Sequence, residues 1–513
     1  MRSTSLPPND SSDNGVDIGG GDKETLALLS TGANGGRESG DFRASGNNTG
    51  SGSASQNNKT SIALAAVNFA NGVVGAGIVG LPAAIRQAGL PVGVLMCVGV
   101  ASVSQYTIRL LAQVGTAQGT GSYVELAQRA FGPTGFYLTS VFQTCFAFGA
   151  MITYLVIFKD TMPEVLKAVF PLWAAANKTA VSPAVVLVGA AFIILLPLSL
   201  VRAFGLLARL GLLKLCATVY ITITVCFYAI TLNGKLLSTK TEAWKLREVH
   251  SEYFSALGTI SFAFVCHHQT FLVLGSLANA TPRRFAITTA SAIFGSFTLS
   301  LTMAVAGYMT FYEDTEGDIF NNYSHINDIA SPALLTTAKL FLALNMIVTF
   351  PGELLVARQT IEAVVERARR HRRWLALKAP VHDVALLARL KAEEEEAAAA
   401  GADNWQWGDP VSVPVFEHIF ITLLLLFTSV GISIGIDDIE QVLTITGATA
   451  AVFLSFLLPA AIRLRLGETA TDSRPIMHWH NWAPLSVLVF GAVAFVASTG
   501  EALVNIIFPN SDS

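Results

Sequence analysis

The sequence predicts an all-α integral membrane protein with eleven transmembrane helices, of which the first and the sixth are broken. The chain has 513 residues, of which 52% are hydrophobic and only 13% are charged. Apolar runs of about 20 residues, the length that crosses a hydrocarbon core of roughly 30 Å, recur along it. The net charge is −3 and no strongly basic surface is visible, so the composition does not indicate a nucleic-acid partner.

Residues 1–60 are rich in Ser, Gly and Asn, and we expect them to form a disordered cytosolic tail. Such a segment holds too little apolar surface to offset the entropy of folding. Within it, Glu24, Leu28 and Leu29 fit an acidic dileucine pattern of the kind that sorting adaptors read. The pattern is short, so its alternative is a chance match. It favours a vacuolar or lysosomal membrane over the plasma membrane.

Eleven apolar segments follow the tail and form a predicted transmembrane domain over residues 61–508. A long cytosolic loop, residues 358–413, separates spans 8 and 9. The predicted spans, in order, are 62–84, 90–114, 133–158, 183–201, 206–230, 253–277, 285–312, 332–357, 414–434, 439–464 and 481–507.

The distribution of Lys and Arg predicts how these spans are oriented. Basic residues concentrate in loops on one face, above all in the run 367–373, and the positive-inside rule assigns that face to the cytosol. The acidic segments 313–318 and 437–440 fall on the opposite face. The N-terminus is therefore expected in the cytosol.

Span 1 contains the stretch 68–82, NFANGVVGAGIVGLP, which carries four glycines at membrane depth. Glycine within a helix costs roughly 1 kcal/mol relative to alanine, so the run Gly75, Ala76, Gly77 lets the backbone leave helical geometry. Irregular backbone at this depth is tolerated only where protein or a water-filled cavity satisfies its polar groups. The stretch therefore predicts the wall of a binding site, or alternatively a close helix contact through small residues.

Span 6 carries a second interruption at 261–269, SFAFVCHHQ, with two imidazoles where a lipid-facing helix should have none. Broken helices at corresponding positions of two halves indicate a transporter built on inverted repeats, here spans 1–5 and 6–10. The free N–H groups at the start of a half-helix then favour an anion such as a carboxylate. A metal site is not predicted, because the adjacent residues Cys266, His267 and His268 lack ligand spacing.

Five motifs together identify the chain as resembling the amino acid/auxin permease family, the amino acid transporter transmembrane family. Its nearest branches are the system A and N neutral amino acid transporters and the vacuolar amino acid transporters. The motifs are NFANGVVGAGIVGLPAAIRQAG in span 1, SYVELAQRAFG before span 3, ISFAFVCHHQTFLVLGSL in span 6, AGYMTF with GDIFNNY after span 7, and TFPGELLVAR in span 8. The resemblance implies the five-plus-five inverted-repeat (LeuT-like) fold and amino acid transport by alternating access, driven by sodium or protons.

The resemblance also implies which residues contact substrate. Gly75, Ala76 and Gly77 would bind the substrate carboxylate through their backbone. The unwound part of span 6 would face the amino group and side chain. Its members are Ser261, Phe262, Ala263 and Phe264.

Two polar residues match the position of the coupling cation in sodium-coupled relatives, Asn71 in span 1 and Thr349 in span 8. Both side chains offer the oxygen that a hard cation prefers. The alternative for Asn71 is an interhelical hydrogen bond, worth about 0.6 kcal/mol on average. For Thr349 the alternative is a hydrogen bond to the backbone of its own helix.

Lys214 lies about eight residues into span 5, roughly 12 Å deep at 1.5 Å per residue. In some distant proton-coupled relatives of this fold, a lysine of span 5 takes the place of the sodium ion. Burial can bring a lysine to exchange protons near neutral pH, which makes Lys214 the candidate proton carrier. The alternative is that its long stem reaches the cytosolic interface.

Two further titratable groups are candidates for a proton-linked role. Glu353 lies near the cytosolic end of span 8, where its alternative is an ion pair with Arg358 or a helix-end role. His267 can titrate near physiological pH. The alternative for either histidine is a hydrogen bond to carbonyls freed by the break in span 6. We favour this alternative for His268.

The sequence as a whole predicts a secondary active transporter for neutral amino acids, with a proton or a sodium ion as coupling ion and no other cofactor. The rival hypothesis is a membrane amino acid sensor that signals through the tail or the 358–413 loop. An enzyme is not indicated, because no nucleophile–base pair or phosphate-binding loop is present. Ligand-dependent binding of a cytosolic protein without flux would distinguish the sensor from the transporter.

Overall fold

The computed structural model describes residues 60–200, 210–236, 252–326, 331–378, 414–467 and 481–508, all within the unit Ala44–Ser513. The dileucine segment and most of the predicted tail lie outside these residues, as does the loop beyond Lys378. Numbered by predicted span, the helices are 1a Ile62–Val73, 1b Gly77–Ala88, 2 Leu90–Ala117, 3 Tyr123–Val169, 4 Pro183–Ser199, 5 Gly211–Leu236, 6a Tyr253–Phe264, 6b Thr270–Ser276, 7 Pro282–Phe311, 8 Pro332–Lys378, 9 Val415–Ile434, 10 Ile439–Leu466 and 11 Trp482–Ile507.

The predicted all-helical membrane architecture is confirmed, whereas the count of eleven is not confirmed in full. Among the described residues, nine helices are long and apolar enough to cross a membrane, and the bent pair 1a and 1b makes a tenth. Span 4, Pro183–Ser199, is apolar but shorter than the others. We call the side on which span 1a begins the N-terminal side, and the other the far side.

The core of the protein is formed by spans 3, 6, 8 and 10. Between 67% and 83% of the most apolar stretch of each of these helices is buried, against 28% to 44% for spans 2, 5, 7, 9 and 11. A helix that buries apolar residues all round packs against other helices rather than lipid. Spans 3, 6, 8 and 10 therefore pack mainly against other helices of the protein.

Close backbone contacts fix how spans 6 and 10 cross. A Cβ atom on Gly447 would lie 1.9 Å from the carbonyl oxygen of Gly258, and one on Gly258 would lie 2.8 Å from that of Thr444. Small residues at a helix crossing let the two backbones approach, which supplies the packing energy that membranes otherwise lack. Span 10 also contains two π-helical turns, Gly447–Ala451 and Phe453–Leu457, and the first lies at this crossing.

Span 8 is longer than predicted and continues through the position assigned to the start of the loop. It runs without a break from Pro332 to Lys378, so the first part of the predicted 358–413 loop continues the helix of span 8. Arg358 is 1% exposed, and its guanidinium donates to the carbonyl of Ser199 in span 4 (2.9 Å) and to the hydroxyl of Thr422 in span 9 (3.0 Å). Glu362 lies 3.9 Å from Arg358 Nε, and its Oε1 is 3.4 Å from His418 Nδ1. A buried charge cluster therefore joins spans 4, 8 and 9.

The first described residue is attached to the end of span 6. Thr60 N–H donates to the carbonyl of Ser276 (2.8 Å), and Ala278 N–H donates to the carbonyl of Thr60 (2.9 Å). The Thr60 hydroxyl donates to the same Ser276 carbonyl at 3.1 Å. Although the sequence assigns residue 60 to the tail, it forms a backbone bridge to the membrane domain.

A loop helix, Ile319–Ser324, lies on the far side between spans 7 and 8. The carboxylate of Asp318 caps it by accepting from Phe320 N–H at 2.8 Å, yet this residue is only 2% exposed. Ser324 donates to Glu164 of span 3 at 2.9 Å, and Lys339 of span 8 contacts both. The loop helix is therefore held against spans 3 and 8.

We expect this loop helix to make the stability of the protein depend on pH. Burial raises the pKa of Asp318 from 3.8 to about 7, and the nearby carboxylates of Asp160 and Glu164 raise it further. The hydrogen bond from Phe320 N–H and the charge of Lys339 lower the pKa, but by less. Between those pH values the folded chain binds a proton that the unfolded chain has released, so stability falls as pH rises through this window, by up to about 4 kcal/mol.

Thermal unfolding in detergent between pH 5 and pH 8 measures this effect. The Tm of the wild type should fall with rising pH, and Asp318→Asn, which keeps a side-chain oxygen for the cap, should flatten that dependence. An unchanged slope in the variant would contradict the assignment to Asp318.

Candidate functional site

The predicted break in span 1 is present. Span 1a ends at Val73, span 1b begins at Gly77, and the two half-helices are bent by 52°. Between them Gly75 N–H bonds only the local carbonyl of Val73, at 3.0 Å. No side chain caps the start of span 1b at Ala76. The first N–H groups of a helix have no intrahelical partner, so this terminus is suited to an anion such as a carboxylate.

The break in span 6 lies further along than predicted. Ser261, Phe262, Ala263 and Phe264 are the last turn of helix 6a rather than unwound chain. The backbone becomes extended at Val265 and passes through a 3₁₀ turn, His267–Gln269, before helix 6b begins at Thr270. The sequence places the break too early because its apolar residues up to Phe264 suit either conformation.

The two broken spans contact one another at the predicted substrate-binding residues. A Cβ atom on Gly77 would lie 2.6 Å from the Cα atom of Ala263, so the backbones of spans 1b and 6a touch here. A Cβ atom on Gly75 would lie 3.0 Å from the hydroxyl of Tyr154 in span 3. Tyr154 was not predicted, because nothing near it in the sequence marks it.

The other predicted residues of span 6 divide between two faces of the helix. The ring of Phe262 packs against Phe146 of span 3, with centroids 5.4 Å apart. Ser261 has a buried hydroxyl without a hydrogen-bond partner among the described residues. Phe264 lies on the opposite face, against Phe297 of span 7 at 6.3 Å. Phe264 is therefore placed to support the helix rather than to reach a ligand beside span 1.

A small polar cavity adjoins the two breaks and brings together most of the predicted ion-linked residues. Its volume is about 50 Å³, room for about three or four water molecules. Asn71, Thr349, Lys214 and Glu353 all line it, whereas His267 does not. The remaining lining residues are Asn68, Gly72, Gly211, Gln269, Val348 and Gly352.

Asn71 makes an interhelical hydrogen bond, and Thr349 makes a hydrogen bond to the backbone of its own helix, as the alternatives to cation binding predict. The amide of Asn71 donates to the carbonyl of Gly211 in span 5 at 2.6 Å, which leaves Oδ1 unused by that bond. The hydroxyl of Thr349 donates to the carbonyl of Asn345 one turn earlier at 2.6 Å. Both residues line the cavity, and neither bond uses an oxygen of Asn71 or Thr349 as its acceptor, so these bonds are compatible with a cation-binding role.

Lys214 and Glu353 place opposite charges on this cavity. Lys214 is half-buried, Glu353 is 3% exposed, and the two charges interact. Lys214 lines the same cavity as Asn71 and Thr349. Opposite charges on a buried wall stabilise one another more strongly than in water.

The two adjacent histidines point to different helices. His267 Nε2 lies 2.8 Å from the hydroxyl of Thr107 in span 2. His268 Nε2 lies 3.4 Å from Glu353 Oε1, and Gln269 donates to the same oxygen at 3.4 Å. The structure therefore brings His268, and not His267, to the acid of span 8. Sequence alone shows two neighbouring imidazoles without indicating which one faces span 8.

On the far side, an ion pair joins the end of span 1b to the start of span 10. Arg86 at the end of span 1b donates to both carboxylate oxygens of Glu440 at the start of span 10, at 3.0 and 3.1 Å. Gln87 donates to the same carboxylate at 2.5 Å. A bidentate arginine–carboxylate pair adds directional bonds to charge attraction, so it holds the ends of these helices together.

Residues 58–504 match the family described as transmembrane amino acid transporter protein. The chain belongs to this family. A Danio rerio protein provisionally named sodium-coupled neutral amino acid transporter 11 is 31% identical over 422 residues, which cover 81% of each chain. Vacuolar amino acid transporter 2 of Saccharomyces cerevisiae is 26% identical over 459 residues, covering 87% of this chain and 84% of the yeast protein.

Solved structures show the same fold as this member of the amino acid transporter family. A mutant manganese transporter from Eremococcus coleocola matches with a TM-score of 0.52 and 11% identity, covering 91% of both chains. A nucleobase-cation-symport-1 family transporter, in a closed conformation with bromovinylhydantoin bound, matches with a TM-score of 0.53 and 10% identity, covering 89% of this chain and 96% of that one. The predicted LeuT-like fold and the predicted family are thereby confirmed.

Proposed function

We propose that this multi-pass membrane protein is a secondary active transporter that moves neutral amino acids by alternating access. The observation that carries the proposal is the contact of the two broken spans at Gly77 and Ala263, together with a small cavity that residues of the same two spans help to line. The uncapped start of span 1b would bind the substrate carboxylate. Two broken helices packed against the buried spans 3, 8 and 10 suit a binding site that opens to each side in turn.

We propose the proton as the coupling ion, with sodium as the alternative. A sodium ion held by the oxygens of Asn71 and Thr349 would share the cavity with the ammonium group of Lys214. Two such charges about 4 Å apart repel by about 4 kcal/mol at an effective dielectric constant of 20. The charge of Glu353 offsets part of this repulsion. Uptake under an imposed pH gradient or an imposed sodium gradient distinguishes the two ions.

The membrane is proposed to be vacuolar or lysosomal. The similarity to a yeast protein named as vacuolar and the acidic dileucine segment at Glu24, Leu28 and Leu29 support this location. Sorting adaptors that bind the dileucine segment are the proposed protein partners, besides the amino acid substrate and the bilayer.

Uptake of a panel of labelled amino acids into proteoliposomes tests the proposal, with either a pH gradient or a sodium gradient imposed. We expect uptake of neutral amino acids driven by the pH gradient and lost in Lys214→Ser, because the variant removes the ammonium group from the cavity. Lys178→Ser, at an exposed lysine between spans 3 and 4, is the matched control and should transport normally.

Two results would change this conclusion. Uptake driven by sodium and lost in Asn71→Ala or Thr349→Ala would replace the proton by sodium as coupling ion. Specific binding of an amino acid without uptake under either gradient would favour the membrane sensor over the transporter.

A further inference from the structure

The contact between Glu353 and His268 leaves buried polar atoms without partners. Both residues are 3% exposed, and their nearest oxygen and nitrogen are 3.4 Å apart. Among the described residues, Glu353 Oε2 and both imidazole nitrogens of His268 have no hydrogen-bond partner. Buried polar atoms are almost always paired, because an unpaired one loses its hydration without compensation. Glu353 also lines the cavity, so the buried pair is suited to an exchangeable species that enters from there.

We propose that Glu353 of span 8 and His268 of span 6 form the proton-binding pair that couples proton movement to transport. This inference rests on the proposed function and assigns the proton to the pair rather than to Lys214 alone. A proton taken from water in the cavity binds to the carboxylate or to the imidazole and later leaves to water on the other side. No other bond changes, so the step needs no further reactant.

Titratable groups of spans 3, 5 and 6 lie near the pair. Lys214 of span 5 faces Glu353 across the cavity and compensates the carboxylate when no proton is bound. Tyr154 of span 3 adds a neutral hydroxyl near Glu353. His267, the other titratable group of the turn, is bound to Thr107 and faces away.

The position of His268 connects its charge to the shape of span 6. The residue belongs to the 3₁₀ turn that separates helices 6a and 6b, whereas Glu353 lies within the continuous span 8. A carboxylate beside an imidazolium attracts the turn toward span 8, and loss of either charge weakens that attraction. The ring of Phe146 lies 5.1 Å from the imidazole and limits how far it can turn away.

Gln269 extends this connection to span 1 as a positioning residue. Its amide nitrogen donates to Glu353 Oε1 at 3.4 Å. A Cβ atom on Gly72 of span 1a would lie 2.1 Å from Gln269 Oε1, so this side chain occupies the space that the glycine leaves open. Spans 1a, 6 and 8 therefore meet at the proposed proton site.

Two assays on the purified full-length protein in proteoliposomes test the pair. The first measures amino acid counterflow at equal pH on both sides, which needs a working carrier but no proton coupling. The second measures accumulation under a pH gradient, with a pH-sensitive dye inside the vesicles. We expect Glu353→Gln and His268→Gln to retain counterflow and to lose both the pH-driven accumulation and the substrate-dependent dye signal. The matched control is Glu366→Gln, an acid of the same helix that pairs with Arg370.

The outcomes separate this inference from the proposed function. Normal pH-driven accumulation in Glu353→Gln would overturn the proposal that the pair binds the coupled proton. Loss of counterflow in both variants would also overturn it, because such a loss indicates a role in substrate binding or folding. Absence of counterflow for every amino acid in the wild type would instead contradict transport itself.

Discussion

Replacing Gly77 by alanine is expected to abolish amino acid uptake and to lower the stability of the protein. The added Cβ atom would lie 2.6 Å from the Cα atom and 2.8 Å from the Cβ atom of Ala263, distances far below van der Waals contact. The obstructing atoms belong largely to the backbone, so no flexible side chain can move aside. Overpacking typically costs about 1–3 kcal/mol, and here it also separates the two broken helices that form the proposed substrate site.

Uptake into proteoliposomes and thermal unfolding in detergent measure the two effects of Gly77→Ala. Gly99→Ala is the control, because a Cβ atom at this position of span 2 has nothing within 4 Å. Alanine is the better helix former by roughly 1 kcal/mol, so this control should be neutral or stabilising. Wild-type uptake together with wild-type Tm in Gly77→Ala would contradict the close contact between spans 1b and 6a.

Replacing Arg358 by methionine is expected to destabilise the protein by about 3–5 kcal/mol, because it removes the buried positive charge that faces Glu362. The guanidinium also donates to the Ser199 carbonyl and the Thr422 hydroxyl, so two acceptors on spans 4 and 9 lose a donor. Methionine fills most of the vacated volume, so the measured loss reports the charge and the hydrogen bonds. Thermal unfolding and the yield of monodisperse protein measure it.

A second substitution separates charge from packing at this cluster. Arg358→Met combined with Glu362→Gln should recover part of the stability, because the buried carboxylate charge that faced the guanidinium is removed as well. Arg370→Met on the same helix is the control, since its ion pair with Glu366 is partly exposed and such pairs contribute at most about 1 kcal/mol. Equal Tm values for the Arg358 and Arg370 variants would refute the structural role of the buried cluster.

The sequence predicts the helical class, the family and the break in span 1 because each rests on a local pattern. Four glycines in one apolar segment show where a helix can unwind. In contrast, the contact of Gly77 with Ala263 joins residues far apart in the chain, and no local pattern records it. The same holds for Tyr154, which reaches the site only because span 3 packs beside the break.

Charged positions were harder to place from sequence for a related reason. Arg358 marks the end of an apolar run and therefore predicts the start of a loop, yet partners from spans 4 and 9 allow span 8 to bury it. His267 and His268 are adjacent, so their different partners follow from the geometry of the 3₁₀ turn. The residues of the candidate site could be named, but their pairing depends on tertiary packing.

The attachment of Thr60 to the end of helix 6b has a mechanical consequence. Two backbone hydrogen bonds, Thr60 N–H to Ser276 and Ala278 N–H to Thr60, make the chain entering the membrane domain move as one body with this half-helix. A force applied at Thr60 therefore reaches helix 6b through these hydrogen bonds as well as span 1a through the chain itself. A reporter fused in front of this residue would register displacement of helix 6b.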